Sequence, residues 1–530
     1  MAPGTAAKDT TPAPFHRLRG ALIAASACTA GLAGPVFPQS AFGMPADCPG
    51  KPRFEAAPCP ILPGVKALAT ARCGRFIVPE NRARPNGRTL RLPVAILPSL
   101  SKRPAPDPIV YLSGGPGGIA INEADLLVAA GLNKERDVVI LNQRGAYLSK
   151  PALTCPSFDN FTHELLGFRF YSAATRRAHL AATEACHRRL TALWVDLNAY
   201  NTTENAADFA DLRRALNYSR WNVVGVSYGT DLAQALMRDH PAGIRSVVLD
   251  STLPVNVTLA GYWTATREGF DALFKACAAQ ATCDRANPHL MATLTDLVNT
   301  LQAKPITVAI KDPATREEST VVIDGGALID WLRNQSYDAP ALRRAPALIT
   351  QLSHGDKKAI EEIALDRARS APPFIPETPA VSYGLAFGVV CREQNPPGPD
   401  NAIGEAGRAA FPAFPASIRD QAVGGWAYAN DDCREVWKVP IAPPESRRPV
   451  VSPIPTLLIS GGWDAVTSPE WTKAVAAGLS NATIITIPGA GHFVSPQSPC
   501  AQAVIASFLE YPLSPKTSCV NALKSPDFAP

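Results

Sequence analysis

Short apolar runs rich in β-branched residues alternate along this chain with helical patterns, and that alternation restricts its fold more than any other feature. The runs are Arg75–Pro79, Thr89–Leu97, Pro108–Leu112, Val138–Leu141, Trp221–Val226, Ile244–Leu249, Thr456–Ile459 and Thr483–Ile487, and they read as strands. Helical patterns lie between several of them, at Ala206–Leu216, Thr230–Asp239, Pro469–Leu479 and Gln502–Leu509. Strands that alternate with helices predict an α/β fold, with a mostly parallel sheet covered by helices. The alternation stops after about Pro254 and resumes near Pro453, and the stretch between is mainly helical, with one short strand candidate at Thr320–Ile323. A helical insertion between two strands of one sheet is expected to cap the strands' carboxyl ends, where open α/β sheets place their ligands. The expected division is a leader over 1–46, the first part of the core over 47–254, the cap over 255–450 and the second part of the core over 451–530.

Hydrophobic residues make up 46% of the chain and charged ones 18%, which permits a large core and argues against global disorder. The net charge of +5 arises from 51 basic and 46 acidic residues without long runs, so no nucleic-acid partner is expected. The leader has the layout of an export signal: His16, Arg17 and Arg19, an apolar run from Ala21 to about Gly34, then small residues and prolines. That run is about 14 residues, short of the roughly 20 that cross a bilayer as a helix, and no later segment is long enough, so no membrane span is expected. Cys28 follows Ala25, Ser26 and Ala27 in a loose likeness of a bacterial lipoprotein processing site, with Ala25 where Leu is usual; a lipid anchor there is the lesser reading.

Twelve cysteines suit an oxidising compartment, periplasmic or extracellular. Neighbours in sequence suggest Cys59 with Cys73, Cys155 with Cys186, Cys277 with Cys283, Cys391 with Cys433 and Cys500 with Cys519, leaving Cys48 over, although sequence does not fix connectivity. No paired C-x-x-C spacing has a histidine nearby, so neither a metal nor another cofactor is expected.

Chemistry centres on Gly225-Val226-Ser227-Tyr228-Gly229. A bare G-x-S-x-G arises easily by accident. Here an apolar strand enters it and a helical pattern from Asp231 leaves it, the order a nucleophile elbow needs, because the serine sits on a strained turn and the glycines let strand and helix backbones pass closely. A serine hydroxyl is a poor nucleophile at neutral pH; a base must take its proton and a third group must hold the base in the right tautomer. Of the eight histidines, His16 lies in the leader, while His163, His179, His187, His240, His289 and His354 have polar helical or loop surroundings that suit a solvated imidazole. Only His492 follows a strand through a turn of small residues, Gly489-Ala490-Gly491, and it is the expected base. Asp464 follows the Thr456 strand through Gly461-Gly462-Trp463, giving the order nucleophile, acid, base. Asp250, at the end of an earlier strand, is the rival acid, with a turn or capping carboxylate as its structural alternative.

An acyl transfer also needs donors for the developing oxyanion. Ser113-Gly114-Gly115-Pro116-Gly117-Gly118 follows a strand and exposes its backbone, so the amides of Gly115 and Tyr228 are expected to form that hole. A phosphate loop would require a Lys and a Ser or Thr after the glycines, which this loop lacks.

These residues resemble the proline iminopeptidase and tripeptidyl aminopeptidase branch of the α/β hydrolases. The likeness rests on YLSGGPGG at 111–118, NQRG at 142–145, GVSYGT at 225–230, GGWDAVTSP at 461–469, GAGH at 489–492 and the late Cys500 and Cys519. Ser113 stands where many iminopeptidases have His, and Asn142 where Asp is usual. The resemblance implies an α/β-hydrolase sheet with a helical cap, and release of one to three residues from a free peptide amino end, with cap carboxylates holding the ammonium group. If Cys391 pairs with Cys433, their Cα atoms lie within about 7 Å, which would gather Glu393, Asp431 and Asp432 and makes Glu393 the candidate for that contact. The expected partner is a small peptide or ester substrate. The same triad serves an esterase acting on small or lipid-like esters, and a fold of this kind can also persist in a non-catalytic binding protein.

Overall fold

The fold is given by a computed structural model that describes residues 51–312, 316–371, 381–396, 398 and 401–529. The strands, in chain order, are β1 (Arg53–Ala56), β2 (Arg72–Pro79), β3 (Thr89–Leu97), β4 (Ile109–Leu112), β5 (Val138–Leu141), β6 (Trp221–Val226), β7 (Ile244–Asp250), β8 (Ile306–Lys311), β9 (Glu318–Ile323), β10 (Thr456–Gly461) and β11 (Ala482–Ile487). Nine of them form one sheet in the order β1-β2-β3-β5-β4-β6-β7-β10-β11, while β8 and β9 pair as a separate antiparallel hairpin. The sheet is antiparallel from β1 through β5 and parallel from there to β11.

Strands β4, β5, β6 and β10 are buried at every residue, which is why they read as unbroken apolar runs rather than as alternating ones. Alternate side chains feed two apolar layers: Val223 and Val247 lie in one, Val224 and Val248 in the other. Helices Thr202–Ala215, Tyr228–Asp239, Pro469–Ala476 and Pro499–Glu510 cover these layers. Their starts are encoded locally. The Asn201 side chain accepts the Glu204 amide, Ser498 accepts the Ala501 amide, and Pro469 and Pro499 occupy first-turn positions whose missing N–H costs nothing.

Between β7 and β10 the chain leaves the sheet and is mainly helical, with Gly325–Asn334, Ala339–Ser353 and Lys357–Ser370 each begun by an aspartate, Asp324, Asp338 and Asp356, whose side chain accepts an amide three residues on. The strand expected at Thr320 is the second half of the hairpin. Its partner β8 was not expected from the sequence; alternate residues of it are exposed. All five expected cysteine pairs are disulfides: Cys59–Cys73, Cys155–Cys186, Cys277–Cys283, Cys391–Cys433 and Cys500–Cys519. The leader, Cys28 and Cys48 lie outside the described residues, among which no helix is long and apolar enough to cross a membrane.

Candidate active site

Four adjacent strands, β6, β7, β10 and β11, deliver Ser227, Asp250, Asp464 and His492 from their carboxyl ends. Ser227 has φ 55° and ψ −124°, a left-handed backbone that a non-glycine residue holds only under external constraint. The constraint is visible. The Ser227 amide donates to the Asp250 carbonyl at 3.0 Å, and the Ser227 carbonyl accepts the Thr230 amide at 2.8 Å. A Cβ at Gly225 would collide with the Gly229 carbonyl, and one at Gly229 with the Leu112 carbonyl, so strand and helix reach this proximity only through glycine.

His492 is buried at 1% exposure, and its Nδ1 lies 2.9 Å from Oδ2 of the fully buried Asp464. Asp464 is itself fixed: Oδ1 accepts the Val466 and Thr467 amides at 2.7 and 2.9 Å, and Oδ2 accepts the Thr467 hydroxyl at 2.8 Å. That hydroxyl also lies 3.1 Å from His492 Nδ1. Burial would push the Asp464 carboxyl up, but the neighbouring imidazole and these hydrogen bonds outweigh it and hold the group below the ordinary carboxylate range. The carboxylate therefore fixes the ring with Nδ1 protonated and Nε2 basic. Among the described residues Nε2 has no hydrogen-bond partner, so Ser227 and His492 come to one end of the sheet without a closed Oγ–Nε2 bond. Catalytic hydrogen bonds commonly tighten when substrate arrives.

Asp250, the rival acid, does not touch the imidazole. Its carboxylate accepts the Val494 and Ser495 amides at 2.9 and 2.8 Å, and the neighbouring Ser251 hydroxyl accepts the Phe493 amide at 2.8 Å. It thus ties the loop after His492 to the turn that carries Ser227. Of the histidines read as solvated, His179 departs from that reading: it is buried at 4% exposure, bonded to Asp432 at 2.7 Å and ringed by Phe158, Phe161 and Tyr428.

The glycine loop runs beside the nucleophile. A Cβ on Gly114 would stand 3.0 Å from Ser227 Cβ, and Gly115 has φ 115°. Ser113 anchors the loop from below by donating its hydroxyl to Glu123, to which Tyr111 also donates. Asn142 bridges two turns, accepting the Ile121 amide at 3.0 Å and donating to the Tyr147 carbonyl at 2.8 Å.

The carboxylate patch expected around the Cys391–Cys433 bridge is not assembled. Asp431 pairs with Arg176 at 2.7 Å and Asp432 with His179, whereas Glu393 accepts the Thr202 amide at 2.8 Å and the Thr202 hydroxyl. Asp431 and Asp432 thus pair with one helix, Ala173–Ala192, while Glu393 pairs with Thr202. Glu393 instead acts electrostatically on Asp231, one turn along the helix from Ser227; burial pushes both carboxyls up.

The family model for the α/β-hydrolase fold matches residues 107–499, from the strand before the glycine loop to beyond His492. The chain belongs to that family. Serine protease Hip1 of Mycobacterium tuberculosis (strain ATCC 25618 / H37Rv) is 30% identical over 250 residues, covering 44% of this chain and 46% of the relative. Tripeptidyl aminopeptidase of Streptomyces coelicolor is 28% identical over 193 residues, covering 34% and 35%. The chain spans about half or less of the length of these curated relatives. Among solved structures, proline iminopeptidase of Mycobacterium smegmatis is 14% identical with a TM-score of 0.34, over 83% of this chain and 98% of that one. A likeness that low bears on neither substrate nor mechanism.

Three site features of this α/β hydrolase escaped the sequence reading. Thr467 carries a signal in hindsight, a hydroxyl three residues after the acid. Asp231 had one too, a charge in the first turn of a buried helix. Ser336 had none: its carbonyl accepts the His492 amide at 2.6 Å and its hydroxyl the Ala465 amide at 3.2 Å, contacts set by packing across more than a hundred residues.

Proposed function

We propose that this chain is an exported serine hydrolase, an aminopeptidase that releases one to three residues from peptide amino ends through an acyl-enzyme on Ser227. The observation that carries this reading is the buried His492–Asp464 hydrogen bond of 2.9 Å at the same end of the sheet as the strained turn of Ser227. His492 Nε2 takes the hydroxyl proton as Oγ attacks the scissile carbonyl. The amides of Gly115 and Tyr228 receive the oxyanion, where preorganised donors in a dry site contribute several kcal/mol. The imidazolium then gives its proton to the departing amine, the carbon–nitrogen bond breaks, and water, activated by the same nitrogen, releases the acyl group.

The helical stretch 255–450 serves as the cap. Glu393, supported by Asp231, is the receiver of the substrate ammonium: a cation would offset the unfavourable burial of two neighbouring carboxyls. The five disulfides fit a protein working in an oxidising compartment.

Hydrolysis of aminoacyl, dipeptidyl and tripeptidyl arylamides, each with the amine free or acetylated, tests this function. Cleavage that requires the free amine supports it. Activity confined to uncharged acyl esters would replace it with the esterase reading, since the same triad attacks both bonds.

A further inference from the structure

The helical stretch touches the loops that carry Asp464 and His492 at several places, among them the short turn Gln335–Tyr337. Ser336 there supports both loops, and a side chain at Gly491 would collide with its carbonyl. The next residue, Tyr337, lies edge-on to the His492 imidazole, with centroids 5.0 Å apart and planes at 78°. Although its neighbour Ser336 is fully buried, Tyr337 is 56% exposed, so part of the residue is free to meet a bound molecule. The surroundings are nevertheless enclosed enough that burial pushes the phenol up, against the opposing charge of Arg333.

We infer that Tyr337 is a specificity-determining residue that contacts the leaving group of the substrate. This rests on the acyl-enzyme reading above. In acylation the leaving atom must come within about 3 Å of His492 Nε2 to receive its proton. Whatever is attached to that atom then lies alongside the imidazole. A ring 5.0 Å from the imidazole centroid, on a residue 56% exposed, is within reach of those attached groups. The argument holds for an amine or an alcohol as leaving group, because either takes its proton from the same nitrogen.

Alanine methyl ester and alanine benzyl ester isolate the contact, since they form the same acyl-enzyme and differ only in the bulk that leaves. The quantity read is the ratio of kcat/KM for benzyl over methyl. Tyr337→Ala should lower it roughly tenfold, the upper range of an aromatic pair contact, while Tyr337→Phe keeps it. Should Tyr337→Ala not fold, Tyr337→Leu carries the same comparison, with a fall of about threefold expected. An unchanged ratio, whether or not both constants drop together, overturns the inference and leaves Tyr337 as a packing residue. Ser227→Ala, run alongside, separates the two levels. A dead Ser227→Ala with an unmoved ratio removes only the Tyr337 assignment, whereas a Ser227→Ala that still turns over both esters removes the acyl-enzyme reading and this one with it.

Discussion

Two buried aspartates at neighbouring strand ends are held by different hydrogen-bond donors, and replacing each has a different expected consequence. Asp464 uses one oxygen for backbone amides and the other for His492 and Thr467, so asparagine can keep the amide contacts while presenting N–H to the imidazole. Asp464→Asn should therefore stay folded and lose about ten-thousand-fold in kcat through the wrong tautomer. Asp250 receives a fixed backbone amide on each oxygen. Asp250→Asn must point an N–H at one of them, costing about 1–3 kcal/mol, and thermal unfolding should report a lowered midpoint. Asp231 is a third case. Burial, then the nearby Glu393, raises its folded pKa above the ordinary value, so its destabilising effect is absent below the ordinary carboxylate pKa and grows as pH rises through the raised one. Asp231→Asn should raise the unfolding temperature at neutral pH, leave it unchanged at about pH 3, and weaken KM for amino-free substrates. A gain that persists in acid would contradict this assignment.

At the scale of elements, the elbow depends on strand and helix passing at backbone distance. Gly229→Ala drives a methyl into the Leu112 carbonyl with no flexible side chain to yield, so a soluble variant should unfold well below wild type, and a wild-type melting curve would refute the packing argument. Legibility follows the same physics. Strands β4, β5, β6 and β10 were plain because burial on both faces makes them continuously apolar, and β6, the elbow and its helix could be placed almost to the residue. Strand β1, four residues at the sheet's edge with polar positions exposed, left too short a pattern to see. Ser227, His492 and Asp464 could be singled out as candidates because each follows the carboxyl end of a strand within a few residues. Glu393 was sought in the wrong company because a disulfide fixes Cα atoms and not the directions of side chains two residues away.

For the whole molecule, the claim is that the sheet's carboxyl edge collects one reactive group from each of several strands while the helical stretch braces them from above. Ser336 accepts the His492 and Ala465 amides and Tyr337 lies edge-on to the His492 ring, so the helical stretch touches the loops that carry these residues. The most direct test is peptide mapping after treatment with a fluorophosphonate, which reacts with an activated serine. The wild-type chain should carry one adduct, on Ser227; Ser227→Ala should carry none; and folded His492→Ala should be labelled slower by about a thousandfold or more. An adduct on another residue, or a His492→Ala variant labelled at the wild-type rate, would contradict the account.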